Sequence, residues 1–243
     1  MENNIKPLIG IVSKPTRYKQ DPLWQYDELI DDFRYLMVQN GALAIGILPT
    51  AHTMTFNDND DYDPTMLSQE ELDDLYRIVD MCDGILLEGG IGSSAYEIEV
   101  AKYAIEQDKP LLGICAGFNN LIRATGGDVR YDPDCGHNVF SKEMVHRVNI
   151  EKDSQLFRII DVESLPVNSI HVMIADDSDI KNLKITARSE DNLVEAVELD
   201  DKTFVIGIKW HPELMLDTTP SMNNIFVEFI AACRTQSNTP KVW

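Results

Sequence analysis

The sequence contains no long apolar run. None of its hydrophobic stretches approaches the ~20 residues that a membrane-crossing helix needs. The opening residues, Met-Glu-Asn-Asn-Ile-Lys-Pro, lack the charged-then-apolar order of a signal peptide. A cytoplasmic protein with no membrane partner is the resulting expectation. Basic residues are also scarce: 21 Lys and Arg stand against 41 Asp and Glu, a net charge of −20. Nucleic acid and anionic lipid both attract basic patches, so neither is expected as a partner. The acidic excess itself reads as solubility. Cysteine is sparse and scattered, at Cys82, Cys115, Cys135 and Cys233. There is no Cys-x-x-Cys pair and no Cys/His spacing suited to zinc, so no metal is expected. Cys82 and Cys233 lie in apolar helical contexts and read as core. Cys135 and His137 read as loop residues, as does His52. His146, in a β-like run, reads as a structural histidine.

The remaining composition is ordinary, with 44% hydrophobic and 26% charged residues over 243 positions. That length suits one large α/β domain. No repeat or Pro/Gly/Ser-rich linker divides it, so 1–236 is read as a single domain and 237–243 as a frayed tail. Leu8–Val12 reads as a buried strand, and Leu23–Asn40 has helical apolar spacing. Ala42–Leu48 is a second strand. The Asp/Asn cluster at 57–61 lacks the glycine and glutamate of a calcium loop and reads as solvated surface. Ser68–Glu71 forms a capping box opening a helix to about Met81. Strand Gly84–Leu87, helix Tyr96–Gln107, strand Leu111–Ile114 and helix Ala116–Ala124 follow. This alternation predicts a mostly parallel sheet flanked by helices, with the strand C-termini sharing one ligand-binding edge. Beyond Gly127, short β-like segments (145–150, 167–173, 185–187, 193–199 and 204–209) predict a smaller antiparallel element. Helices are expected at 155–160 and 222–234.

Gly113-Ile114-Cys115-Ala116-Gly117 has the strand–sharp turn–helix form of a nucleophile elbow, with Cys in place of Ser. Such a turn needs small residues on either side and leaves the sulfur at a helix N-terminus, which favours thiolate. Alone, the motif fits a buried Cys between structural glycines equally well. His211-Pro212-Glu213, just past the apolar run Val205–Ile208, supplies the answer to it. A histidine can take and return the thiol proton, and a glutamate two positions on can orient the ring. The N–H of Ala116 and one from Gly89-Gly90 could face a developing oxyanion. Glycine suits that loop because its backbone must approach substrate closely.

Taken together, these segments resemble the class I glutamine amidotransferase superfamily. Within it, the chain is most similar to gamma-glutamyl-gamma-aminobutyrate hydrolases and related gamma-glutamyl hydrolases. The likeness rests on Pro7–Ile11, Gly84–Gly90, Lys109–Gly117, Val167–His171 and Val205–Glu213, in family order. It implies a Cys115-His211-Glu213 triad, a thioester intermediate on a gamma-glutamyl amide, a flavodoxin-like α/β fold, and no metal or organic cofactor. Gly89, Gly90, Ala116, Asn119 and His171 are the expected oxyanion and substrate contacts. His171 is also a rival base. Tyr96 and Glu97 either shape the pocket or start a helix, and Lys209 either meets a substrate carboxylate or is exposed. The chain departs from the family pattern at Ala116, usually Arg in the hydrolase branch, and at Asn119, usually Gln. It departs again at Lys209, commonly Gln, and at Glu88 before the paired glycines. The expected function is hydrolysis of a small gamma-glutamyl metabolite. The alternatives are a glutaminase subunit feeding ammonia to a separate synthetase, or a binding homologue with altered catalysis. A homodimer stays open.

Overall fold

The computed structural model describes residues 5–16, 23–52, 62–63 and 65–237. The principal elements in chain order are β1 (Leu8–Val12), α1 (Asp31–Gln39), β2 (Leu43–Ile47), α2 (Gln69–Met81), β3 (Gly84–Leu87), α3 (Ala95–Glu106), β4 (Leu111–Ile114) and α4 (Ala116–Ala124). They continue with β5 (His146–Ile150), α5 (Gln155–Ile160), β6 (Ser164–Val167), β7 (Lys184–Ser189), β8 (Val194–Glu198), β9 (Val205–Ile208) and α6 (Asn223–Ser237).

One nine-stranded sheet runs in the order β6-β5-β7-β8-β9-β4-β3-β1-β2. Five strands, β2, β1, β3, β4 and β9, are parallel. The other four extend the same sheet in antiparallel fashion from β9 outward. The expected antiparallel element is therefore a flank of the central sheet. The inner parallel strands β1, β3, β4 and β9 are short apolar runs because both their faces are covered, whereas the edge strand β2 is partly exposed. Successive residues serve opposite cores: Leu86, Leu112 and Ile206 pack with α1, α5 and α6, whereas Ile85, Leu87, Leu111 and Val205 pack with α2, α3 and α4. The two cores make a three-layer sandwich, with period-2 alternation in the strands joined to 3.6-residue periodicity in the helices.

The capping box forms as expected, with Ser68 accepting from the Glu71 N–H and the Glu71 carboxylate accepting from the Ser68 N–H. The helix expected over Leu23–Asn40 is shorter than its apolar pattern suggests. Leu23 and Trp24 are exposed, and Tyr26–Glu28 pairs antiparallel with Lys14–Thr16. The helix opens only after Ile30, whose N–H is taken by the Glu88 carboxylate at 2.8 Å. The β-like run over 167–173 is also interrupted. β6 ends at Val167, and a separate short strand, Met173–Ile174, pairs with Arg130–Tyr131. The intervening loop turns inward, and its Asn168 is fully buried. The Asp/Asn cluster at 57–61 and the tail beyond 237 lie outside the described residues.

Candidate active site

Strand order explains how three distant motifs meet. β4 lies between β9 and β3, so Cys115 leaves the sheet with Gly89 on one side and His211 on the other. All three lie just past the C-terminal ends of parallel neighbours, where open α/β sheets form their clefts. A cavity of about 350 Å³ opens there, lined in part by Gly90, Cys115, Asn119, Ile170, His171 and His211.

Cys115 has φ +52° and ψ −99°, a backbone state that non-glycine residues rarely adopt. The flanking glycines have distinct steric reasons. A Cβ on Gly117 would lie 2.1 Å from the carbonyl oxygen of Leu87 in β3, and one on Gly113 would lie 2.7 Å from the carbonyl oxygen of Gly117. Any side chain at either position would push α4 off the sheet. The turn places the Ala116 N–H among the first amides of α4, which have no intrahelical acceptor.

His211 is fixed from two directions. Its Nδ1 is 2.6 Å from Glu213 Oε1, which directs Nε2 away from the carboxylate. Its backbone is clamped by Asn168: the His211 N–H donates to Asn168 Oδ1 at 2.8 Å, and Asn168 Nδ2 donates to the His211 carbonyl at 2.9 Å. Asn168 falls within the family-like segment Val167–His171, but nothing local in the sequence marks its role, because its partner lies 43 residues away. Gly89 packs against the ring, where a Cβ would sit 2.9 Å from His211 Cε1. Larger residues are excluded there by the imidazole itself.

The electrostatics favour a charge pair. Burial pushes the Cys115 thiol up, but the adjacent His211 charge and hydrogen bond, helped by Lys209, outweigh it and hold the thiol below its ordinary range. Burial likewise disfavours a charged His211. The Cys115 thiolate and the Glu213 carboxylate outweigh that effect and hold the imidazole well above its usual value. Thiolate and imidazolium thus stabilise one another, the state required of a cysteine nucleophile.

The other expected contacts divide. Asn119 and His171 line the cavity. Lys209 is buried, not exposed, and its Nζ donates to Asn119 Oδ1 at 2.7 Å and lies 5.3 Å from the Phe118 ring centroid. His171 turns both nitrogens elsewhere: Nδ1 lies 3.1 Å from the Met173 carbonyl oxygen and Nε2 lies 3.7 Å from Glu195. Tyr96 reaches back to the Ser13 carbonyl. Glu97 completes the capping box of α3 with Ser94, pairs with Lys14 and accepts from Asn120 Nδ2. These two residues therefore start a helix and brace the loop beneath the glycines. Lys14 also donates to the Gly92 carbonyl at 3.4 Å and packs under Gly90.

His137 lies in a loop, as expected, but is buried, and its ring lies 4.2 Å from that of His146. His146 Nε2 has no hydrogen-bond partner, contrary to a satisfied structural histidine. Cys82 and Cys233 are core residues, as expected. No described helix is long and apolar enough to cross a membrane.

Comparison with known proteins identifies the family and the fold. The chain is 26% identical to the gamma-glutamyl-gamma-aminobutyrate hydrolase PuuD of Escherichia coli, with 96% of each chain covered. It is 26% identical to the CTP synthase of Christiangramia forsetii over 67% of this chain, but it spans only 36% of that relative. Among solved structures, the glutaminase domain of Trypanosoma brucei CTPS with bound acivicin superposes with a TM-score of 0.62 at 20% identity, covering 98% of this chain and 96% of that one. A glutamine amido transferase from Methylobacillus flagellatus superposes with a TM-score of 0.57 at 15% identity, covering 96% and 95%. The Peptidase C26 family model matches residues 92–213, from the loop before α3 through the His-Pro-Glu turn. With half the chain matched and the fold shared, this protein belongs to the Peptidase C26 family, with a class I glutamine amidotransferase-like fold.

Proposed function

We propose that the protein hydrolyses the gamma-glutamyl amide bond of a small metabolite, with Cys115 as nucleophile, His211 as base and acid, and Glu213 as the orienting carboxylate. The observation that carries this is the Glu213–His211 bond beside a strained, thiolate-favouring Cys115 at a cavity of about 350 Å³. The Cys115 thiolate attacks the amide carbon and the carbonyl electron pair moves to oxygen. The N–H groups of Ala116 and of the Gly89-Gly90 loop receive that oxyanion. His211 then gives its proton to the departing nitrogen, the C–N bond breaks, and a glutamyl thioester remains. Water adds next, with His211 taking its proton. The C–S bond breaks, glutamate leaves, and the thiolate–imidazolium pair is restored.

The likeness to PuuD over nearly the full length of both chains supports a stand-alone hydrolase of this substrate class. Asn119 lines the cavity with its Oδ1 held by Lys209 Nζ behind it, which leaves its amide NH2 suited to the carboxylate end of a glutamyl group. A second reading, a glutaminase subunit that supplies ammonia to a separate synthetase, draws on the CTP synthase likeness. One assay separates the two. Purified protein and its Cys115→Ala variant are incubated with glutamine, gamma-glutamyl-aminobutyrate, other gamma-glutamyl amines and short gamma-glutamyl peptides. Glutamate release by wild type alone from a gamma-glutamyl amine or peptide supports the hydrolase. Activity confined to glutamine supports the subunit, and release equal in both proteins overturns both readings.

A further inference from the structure

Beside the cavity, on the antiparallel flank, four polar side chains converge from four separate segments. Glu195, in β8, is fully buried, and neither of its carboxylate oxygens has a hydrogen-bond partner. Facing Oε1 are His137 Nδ1 at 3.3 Å, His171 Nε2 at 3.7 Å and His146 Nε2 at 3.8 Å. Those three nitrogens also lack hydrogen-bond partners. A buried carboxylate left this way is costly, and so is each buried imidazole nitrogen.

The outward nitrogen of each ring is occupied. His137 Nε2 lies 3.1 Å from Asp191 Oδ2, His171 Nδ1 lies 3.1 Å from the Met173 carbonyl oxygen, and His146 Nδ1 lies 3.3 Å from the Arg147 carbonyl oxygen. Each acceptor fixes the N–H on the outer side and turns a lone pair inward, the arrangement that orients histidine ligands around a metal. A single proton on His137 would not replace it, because the lone pairs of His146 and His171 would still face one another and the carboxylate unpaired.

We propose that His137, His146, His171 and Glu195 bind one divalent ion of the zinc class. The four ligand atoms lie within 4.8 Å of one another. A tetrahedral site with bonds of about 2.1 Å has edges of about 3.4 Å, close to the 3.3–3.8 Å separations from Glu195. Three imidazoles and a carboxylate suit zinc and its first-row neighbours and do not suit magnesium or calcium, which prefer oxygen donors. Glu195 and Asp191 together balance the charge of a divalent ion. Four protein ligands close the coordination shell, so the ion is structural and takes no part in bond cleavage. It ties β8 to two strand-like segments already paired through His171 N–H to the His137 carbonyl and Val139 N–H to the Ser169 carbonyl. The second of these segments carries Asn168, the clamp on His211, and Ile170, on the cavity wall.

The test uses full-length Cys115→Ser protein, so that the nucleophilic thiol cannot capture the metal. Chelator-treated protein is titrated with zinc chloride by calorimetry, with magnesium chloride as control. The expected result is one zinc per chain, a raised melting temperature, no magnesium binding, and affinity at least about 100-fold weaker in the Cys115→Ser/Glu195→Gln protein. Affinity unchanged by Glu195→Gln, or no stoichiometric zinc uptake, overturns the proposal. Should the double variant misfold, cobalt(II) in the Cys115→Ser protein decides. Visible d–d bands without thiolate charge transfer support the site, and thiolate bands or no bands overturn it.

Discussion

The parallel and antiparallel halves of the sheet carry their polar chemistry in opposite ways. On the parallel side, Gly89, Cys115 and His211 each follow a strand, and the strands are immediate neighbours. Each functional group therefore sits inside a short motif whose local sequence already states its constraint. On the antiparallel side, His137, His146, His171 and Glu195 come from two loops and two strands, and no single motif holds them together. One half places its site by local chain geometry, the other by long-range pairing. The halves meet at the 168–171 loop, where Asn168 serves the first site and His171 belongs to the second.

The comparison can be broken most sharply on the parallel side. Glu213→Gln keeps the shape beside His211 but removes the charge that orients and stabilises the imidazolium. Turnover is expected to fall on the order of 10,000-fold, with far-UV circular dichroism unchanged. Gly117→Ala drives a Cβ into the Leu87 carbonyl in β3. A stability loss of about 3 kcal/mol in chemical denaturation is expected. Gly126→Ala, where a Cβ would meet nothing within 4 Å, is expected to show only the smaller cost of its φ of +88°. Asn168→Ala acts at the junction of the two halves. It leaves the His211 backbone N–H and carbonyl without their partners, so a loss of about 1–3 kcal/mol is expected, together with a drop in kcat that exceeds any change in KM.

A pH-dependent effect concerns Glu88, whose carboxyl is pushed up to about 8 by burial, against the opposing bond from the Ile30 N–H. A pKa raised on folding means that the folded state holds the proton more tightly than the unfolded chain. Its contribution is complete below about pH 4.5 and is lost as pH rises toward about 8. The slope is at most about 1.4 kcal/mol per pH unit. Glu88→Gln keeps an acceptor for Ile30 and should flatten that decline, as read from denaturation midpoints between pH 5 and 8 (about the titration window).

Much of the fold was legible because apolar periodicity and cap residues coincided. Ser68–Glu71 marked its helix start, and Gly113-Ile114-Cys115-Ala116-Gly117 marked the elbow. The region before α1 misled because Leu23, Trp24 and Leu29 continue a helical spacing while staying largely exposed, and a backbone partner at Lys14–Thr16 was available. The antiparallel flank reads as β in the sequence but not as part of the same sheet, since nothing local specifies that β8 joins β9. For Lys209 the sequence allows either contact with a substrate carboxylate or exposure. Its burial depends on Asn119 and Phe118, about 90 residues away. The histidine cluster is not legible in the sequence for the same reason: spacing rules find ligands within one motif, and these four are brought together only by the fold.

The central claim is that Cys115 forms a glutamyl thioester during turnover. It is tested most directly by acid-quenching the wild-type protein during steady-state turnover of its best gamma-glutamyl substrate and mapping the adduct by mass spectrometry. The predicted result is a glutamyl group on Cys115, accumulating in wild type and missing from Glu213→Gln at the same quench time. Glutamate release with an adduct on another residue, or on none under conditions where acylation outpaces hydrolysis, would contradict the account.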